Sequence, residues 1–88
     1  MSSIHRKTHE INRFGEKLRI LRTHQGWTLQ QLAVHLDLVA HGYISELETG
    51  KKTPTAAIVL KIARLFDIST DTLLKDEVDL ILPNKKVH

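Results

Sequence analysis

Histidine and carboxylate side chains are the residues of this chain best suited to catalysis or metal binding. His5 and His9 stand four positions apart, so a helix would place both imidazoles on one face, as a metal site requires. No third or fourth ligand follows at a suitable spacing, and an N-terminal arm without a metal is the favoured interpretation. Serine, histidine and aspartate residues are present, but no segment resembles a nucleophile elbow or a positioned triad. The sequence therefore predicts neither an enzyme, nor a metal site, nor a cofactor.

A second group of polar side chains lies between positions 41 and 46. Ile44 and Leu47 stand three apart and predict a short helix with an apolar underside. The residues left to the outward face are His41, Gly42, Tyr43, Ser45 and Glu46. A short helix held by its underside can enter the major groove of double-stranded DNA, where such side chains contact base edges. The chemistry indicated by this face is base recognition.

The elements that must position this face are predicted to be five short helices, with no strand. Each of the helices has an apolar stripe at helical spacing and a start or stop signal. The first predicted helix covers about residues 13–24 and the fourth about 56–66. The second opens at Thr28 and has inner residues from Leu29 to Leu36, the third contains Ile44 and Leu47 and stops at Thr49-Gly50, and the fifth is capped by Ser69 and carries Leu73 and Leu74. Asn12 is the expected N-cap of the first helix, and Thr28 with Gln31 forms a capping box for the second. The fourth helix is expected to point Ile58, Leu60 or Val59, Ile62, Leu65 and Phe66 inward.

The second and third helices are joined by only Asp37 to about Ala40, so they must cross steeply. This is the geometry of a helix-turn-helix. The predicted fold class is an all-α, compact five-helix bundle with this motif at helices 2 and 3.

Charge is distributed in a way that suits contact with phosphates. The net charge is +3, yet no lysine or arginine occurs between Leu29 and Gly50. Basic segments bracket this stretch, and Arg6, Lys7 and Arg13 are candidates for additional phosphate contacts. An ordinary solvated surface is the alternative interpretation. The absence of cysteine, of a membrane span and of a signal peptide predicts a cytoplasmic, nucleoid-associated protein that does not contact membranes.

From Phe14 to Leu74 the chain resembles the lambda-repressor/Cro-like helix-turn-helix family, also called the xenobiotic-response-element family. The segments that carry the resemblance are Leu18–Arg22, Trp27–Ala33, Ile44–Pro54 and Ile62–Leu74. The resemblance implies a transcription regulator, expected to be a repressor, that binds operator DNA as a symmetric homodimer. It places the recognition helix at about His41–Glu48.

The same resemblance implies roles for residues outside the recognition face. Arg22 and Glu48 match a buried ion pair that fixes the recognition helix. The phosphate contacts are expected from Thr28, Gln30, Lys51, Lys52 and Thr53. The chain departs from the family pattern in three ways. Leu29 stands where glutamine is frequent and Asp37 where glycine is common, and the turn before Ile44 is one residue longer. This length shifts the register of the base-contacting positions by up to one place.

Several of these residues have two interpretations. Glu46 either accepts from cytosine N4 or is held by a neighbouring cation such as Lys51. Tyr43 either contacts a thymine methyl or phosphate or packs, half-buried, to stabilise the helix. His41 either donates to DNA or lies on the surface without a partner.

The C-terminal residues offer more apolar surface than a five-helix core needs. Val78, Leu80, Ile81 and Leu82 are predicted to form a homodimer contact, and the alternative is that they fold onto their own core. The predicted organisation is an arm at 1–12, a DNA-binding domain at 13–75 and a C-terminal extension at 76–88. The alternative function is a protein-interaction module, such as the antitoxin of a toxin–antitoxin pair, with a partner protein.

Overall fold

The structure is a computed structural model that describes residues 11–82. It contains five helices: α1 (Phe14–His24), α2 (Leu29–His35), α3 (His41–Glu48), α4 (Ala56–Phe66) and α5 (Thr70–Leu74). No strand occurs in this range. The predicted all-α, five-helix architecture is confirmed.

Three of the helices begin where local side chains satisfy the free backbone N–H groups of the first turn. At α2 the Thr28 hydroxyl accepts from Gln31 N at 3.0 Å, and the Gln31 side chain accepts from Thr28 N at 2.8 Å. Thr55 and Ser69 accept in the same way from the N–H three residues further on, at the starts of α4 and α5. The Thr28–Gln31 box is the predicted one, and caps of this kind contribute about 1 kcal/mol each.

Residues with left-handed backbone lie at the ends of four helices. Gly26 and Gly50 have φ of +78° and +81°, directly after the regions where α1 and α3 end. Asp37 and Asp67 have φ of +61° and +57°, after α2 and α4. Aspartate tolerates this conformation better than most residues, so Asp37 replaces the glycine that is common at this turn.

Asn12 is not the N-cap of α1, contrary to prediction. The N-cap is Arg13, and its side chain makes no cap hydrogen bond. The carboxylate of Asp76 takes this role instead, because its two oxygens accept from Asn12 N at 3.1 Å and Arg13 N at 2.9 Å. A negative charge at a helix N-terminus is favourable, and here it comes from the opposite end of the described chain.

The core lies between α1, α3 and α5, with α2 packed on α3 and α4 packed on α5. Its buried apolar residues are Phe14, Leu18, Leu21, Leu32, Ala33, Leu36, Ile44, Leu47, Ile58, Val59, Ile62, Ala63 and Leu73. On α4 the inward residue is Val59, whereas Leu60 is exposed. Ile58, Val59 and Ile62 form one stripe, and Leu60 falls on the other side of the helix at 100° per residue.

Lys17 is buried in this core, although it belongs to the basic segment that precedes Leu29. Its side chain is 0 % exposed. The ammonium donates to the carbonyl oxygens of Thr72, Lys75 and Val78 at 2.7, 2.7 and 2.6 Å. Together with the Asp76 cap, these bonds hold residues 75–80, here called the C-terminal segment, against the start of α1.

None of the helices in the described range is both long enough and apolar enough to cross a membrane.

Candidate nucleic-acid interface

The α2–α3 turn fixes the start of α3. Leu38 N donates to Ala33 O at 2.8 Å, and the Leu38 side chain packs, half-buried, against the core. On the underside of α3, Ile44 and Leu47 are almost completely buried. The predicted seating of this helix on its apolar residues is therefore present, and the opposite side is left to solvent.

Gly15 allows α1 to approach the C-terminal end of α3 very closely. A Cβ built at this position would lie 2.5 Å from the carbonyl oxygen of Leu47 and nearer still to that of Glu48. Both obstacles are backbone atoms, which cannot move aside as a side-chain tip can. The position of α3 against α1 therefore depends on the missing side chain.

An ion pair joins the same two helices. Arg22 Nε donates to Glu48 Oε2 at 2.7 Å, and Arg22 Nη2 donates to Glu48 Oε1 at 3.1 Å. The two side chains are 13 % and 7 % exposed. Arg22 Nη1 also donates to the carbonyl of Trp27 at 2.8 Å, which ties the turn before α2 to the pair. A two-bonded pair with so little exposure fixes geometry, because either charge alone would be left buried without compensation.

The five residues predicted for the outward face differ in how much they present to solvent. His41 and Gly42 are exposed, and nothing lies within 4 Å of a Cβ built at Gly42. Ser45 and Glu46 are half-exposed. Tyr43 is also half-buried and packs against the core, a contact that belongs to the second of its two interpretations.

Glu46 has a cationic neighbour, and it is Lys52. The distance from Lys52 Nζ to Glu46 Oε1 is 3.7 Å, between two side chains that both remain partly exposed. Lys51, the cation expected from the sequence, instead makes a backbone hydrogen bond from its N to Glu46 O at 2.9 Å. Backbone N–H groups of both lysines thus fold the loop onto the end of α3.

The residues predicted to contact phosphate lie at two places. Thr28 and Gln30 are exposed at the start of α2, where the Thr28 hydroxyl is engaged in the capping box. Lys51, Lys52 and Thr53 are exposed in the loop that follows α3. The chain thus sets polar or cationic groups at the beginning of the motif and directly after it.

The candidate arm residues are divided between described and undescribed positions. His5, His9, Arg6 and Lys7 lie outside the described residues. Arg13 is engaged by the C-terminal segment, since its Nη1 donates to Asp76 O at 2.7 Å and to Asp79 Oδ1 at 2.9 Å. Within residues 11–82 no three potential ligands from His, Cys, Asp and Glu come together as a metal site would require.

Three residues that position the interface were missed by the sequence interpretation. Lys17 follows Phe14 by three positions and so lies on the apolar face of α1, which is the signal that could have found it. A glycine inside a helical pattern, such as Gly15, indicates a close approach. Asp76 carries no such signal, because its partners lie 64 and 63 residues away.

The comparisons with known proteins agree with this geometry. The family model described as helix-turn-helix matches residues 18–73, from α1 into α5. The SPbeta prophage-derived uncharacterized HTH-type transcriptional regulator YonR of Bacillus subtilis (strain 168) is 37 % identical over 62 residues. The aligned region is 70 % of this chain and 56 % of that relative, so the chain spans little more than half the relative's length.

Proposed function

The chain belongs to the helix-turn-helix family, in its lambda-repressor/Cro-like form, and on that premise we propose that it binds a specific operator as a homodimer and represses transcription. The observation that carries the proposal is the seating of α3. Its underside is buried, its end is fixed by Arg22 and Glu48, and its N-terminal residues face solvent. A rigid helix with a free N-terminal half is what major-groove recognition requires.

Base recognition is assigned to the outward residues of α3: His41, Gly42, Tyr43, Ser45 and Glu46. His41 and Ser45 can donate to purine N7 or O6, and Glu46 can accept from cytosine N4. The Glu46 carboxylate stays partly exposed beside Lys52, and the nearby positive charge reduces the repulsion that a carboxylate would meet near phosphates. Gly42 allows the backbone to approach a base pair closely.

Phosphate binding is assigned to Thr28 and Gln30 on one side of the motif and to Lys51, Lys52 and Thr53 on the other. Contacts of this kind position the protein on the duplex without specifying a sequence. Each neutralised phosphate should steepen the salt dependence of binding by about one unit of log affinity per log salt.

The homodimer contact is assigned to the end of the C-terminal segment and the residues after it. Ile81 is 88 % exposed and Leu82 is exposed beside it. Val78 and Leu80 are half-buried, and Leu80 packs on its own core, which is the alternative interpretation for that residue. We propose residues 13–75 as the DNA-binding domain, 1–12 as an arm and 76–88 as the extension that carries this surface.

Selection of bound duplexes from a random pool, near physiological salt, tests the operator proposal. Recovery of a palindromic motif is the expected result, since a symmetric dimer binds two half-sites about one helical turn apart. Binding without any recovered motif would contradict the proposal. It would favour the protein-interaction module, for which the specific observation is an α3 without lysine or arginine.

Sedimentation equilibrium tests the dimer. Serine substitutions at Ile81 and Leu82 should raise the dimer dissociation constant at least tenfold, because two exposed apolar side chains lose their burial at the interface. Leu60→Ser is the matched control, since Leu60 is another exposed leucine and lies on α4. Equal dissociation constants for the Ile81/Leu82 variant and the unmodified chain would remove these residues from the interface.

A further inference from the structure

Val39 is the most exposed large apolar side chain in the described range. Its relative exposure is 104 %, so its two methyl groups are fully in solvent. The backbone on either side is fixed, because Leu38 N donates to Ala33 O and α3 begins at His41. Single exposed apolar residues are common and indicate nothing by themselves. The position of Val39 is what distinguishes it.

Val39 stands immediately before the helix proposed to enter the major groove. Ala40, the N-cap residue of α3, is exposed and makes no side-chain cap hydrogen bond. His41 and Gly42 follow, both exposed. The N-terminal residues of a recognition helix are those that lie nearest the bases. Aliphatic surface from Val39 and Ala40 therefore lies directly before the residues assigned to base recognition.

The chemistry available elsewhere on α3 is restricted. No lysine or arginine occurs between Leu29 and Gly50, so the commonest contact to guanine is unavailable from this helix. Glu46 is its half-exposed carboxylate, and Lys52 Nζ lies 3.7 Å from Glu46 Oε1. A large part of the discrimination between bases must then come from uncharged contacts.

The major groove offers one apolar group to such a surface, the C5-methyl group of thymine. Val39 suits this partner because a β-branched side chain is stiff about χ1 and loses little rotamer freedom on contact. Ala40 adds a smaller methyl group beside it.

We infer that Val39, supported by Ala40, contacts the C5-methyl group of a thymine in each half-site and is a specificity-determining residue of this protein. The inference rests on the proposed function, and it names a base contact from outside α3 itself. It predicts an operator with a thymine whose methyl group matters for affinity.

Replacement of thymine by deoxyuridine in the selected operator provides the test, because it removes the methyl group and leaves the hydrogen-bonding pattern unchanged. Affinity is measured for each substituted position, with the unmodified chain and with Val39→Ala. The unmodified chain should lose about fourfold in affinity at one thymine position per half-site, because that is the effect expected from burying one methyl-sized group. Val39→Ala should bind the thymine and deoxyuridine duplexes equally at that position.

Val34→Ala is the matched control, since it makes the same truncation at another exposed valine, on α2. It should keep the sensitivity to deoxyuridine. Two results would overturn the inference: a loss of affinity with deoxyuridine that persists in Val39→Ala, or no such loss at any thymine. Specific binding would in either case still support the proposed function. A pool that yields no motif would overturn both. Unchanged denaturation midpoints will show that neither variant is misfolded.

Discussion

Replacement of Lys17 by methionine is expected to destabilise the protein strongly. Outside the Arg22–Glu48 pair, we expect no other single replacement of a charged side chain by an apolar one to cost more. Methionine fills most of the volume of the lysine stem but cannot donate. The substitution removes donors from three carbonyl oxygens at 2.6 to 2.7 Å, two of which belong to the C-terminal segment. The oxygens of Thr72 and Val78 then lose this donor and Lys75 O keeps the bond from Val78 N, or the segment leaves the core to reach water.

The magnitude follows from opposing contributions at this site. A hydrogen bond to a charged group contributes about 1.5–3 kcal/mol, so three give about 4.5–9 kcal/mol. Removing the ammonium from water offsets several kcal/mol of this sum. Burial also lowers the pKa of Lys17, with a further lowering from Arg13, which indicates the same cost. We expect a net loss of about 2–4 kcal/mol, or at least about 8 °C in melting temperature for a domain of this size.

Urea denaturation followed by circular dichroism measures the loss. Lys61→Met is the matched control, because Lys61 is exposed and donates to a single carbonyl, that of Leu36, at 3.2 Å. That variant should lose less than about 1 kcal/mol. Hydrogen exchange at Val78 N, which donates to Lys75 O, should accelerate in Lys17→Met if the segment opens. Equal unfolding free energies for the two variants would refute the reasoning, since the bonds to Lys17 would then be fully offset by desolvation.

Three further substitutions test the contacts that position α1 and α3. Gly15→Ala should lower the free energy of unfolding, measured by urea denaturation, by about 1–3 kcal/mol, because the added methyl group meets the backbone of α3. In an exposed helix the same change would stabilise, so a stabilised variant would contradict the close approach. Arg22→Met should lower the free energy of unfolding by about 3–5 kcal/mol, because it leaves the buried Glu48 carboxylate without its partner. Adding Glu48→Leu should recover part of this loss, and additive losses in the double-mutant cycle would exclude coupling between the two residues. Burial alone would raise the pKa of Asp76, but the N–H donors of Arg13 and Asn12 and the charge of Lys17 lower it below 3.8. Its stabilisation is therefore complete above that pH and is lost as the pH falls through the lowered pKa. The unfolding free energies of the unmodified chain and of Asp76→Asn should thus differ at pH 7, and the difference should shrink as the pH falls below 3.8; a constant difference would argue against the ionised cap.

Local signals were sufficient to predict most of the fold. The capping box of Thr28 and Gln31 depends on residues three apart, and the stripe of Phe14, Leu18 and Leu21 on a helical repeat. Such patterns are independent of the rest of the chain, so they can be recognised without a structure. The seating of α3 on Ile44 and Leu47 was predictable in the same way.

Contacts between distant segments were not predictable in this way. The Arg22–Glu48 pair was expected from a family resemblance, and its residue types and spacing alone do not indicate it. The Asp76 cap joins residues more than sixty positions apart, and a surface aspartate would have the same sequence pattern. Asn12 fits the local preference for asparagine at an N-cap, so the sequence pattern favours it wrongly. A tertiary contact instead brings the Asp76 carboxylate to this helix N-terminus as the charged acceptor.

These distant contacts connect the proposed dimer surface to the proposed DNA surface through rigid elements. The C-terminal segment is bound to α1 by Lys17 and Asp76, and α1 is bound to α3 by Arg22 and by the close approach at Gly15. Ile81 follows that segment directly, so no flexible linker separates it from the helix that would enter the groove. In a symmetric dimer built on this surface, the distance between the two recognition helices is fixed by the fold. A fixed distance restricts the spacing of half-sites that both helices can occupy together, and specificity for the operator then includes its geometry as well as its bases.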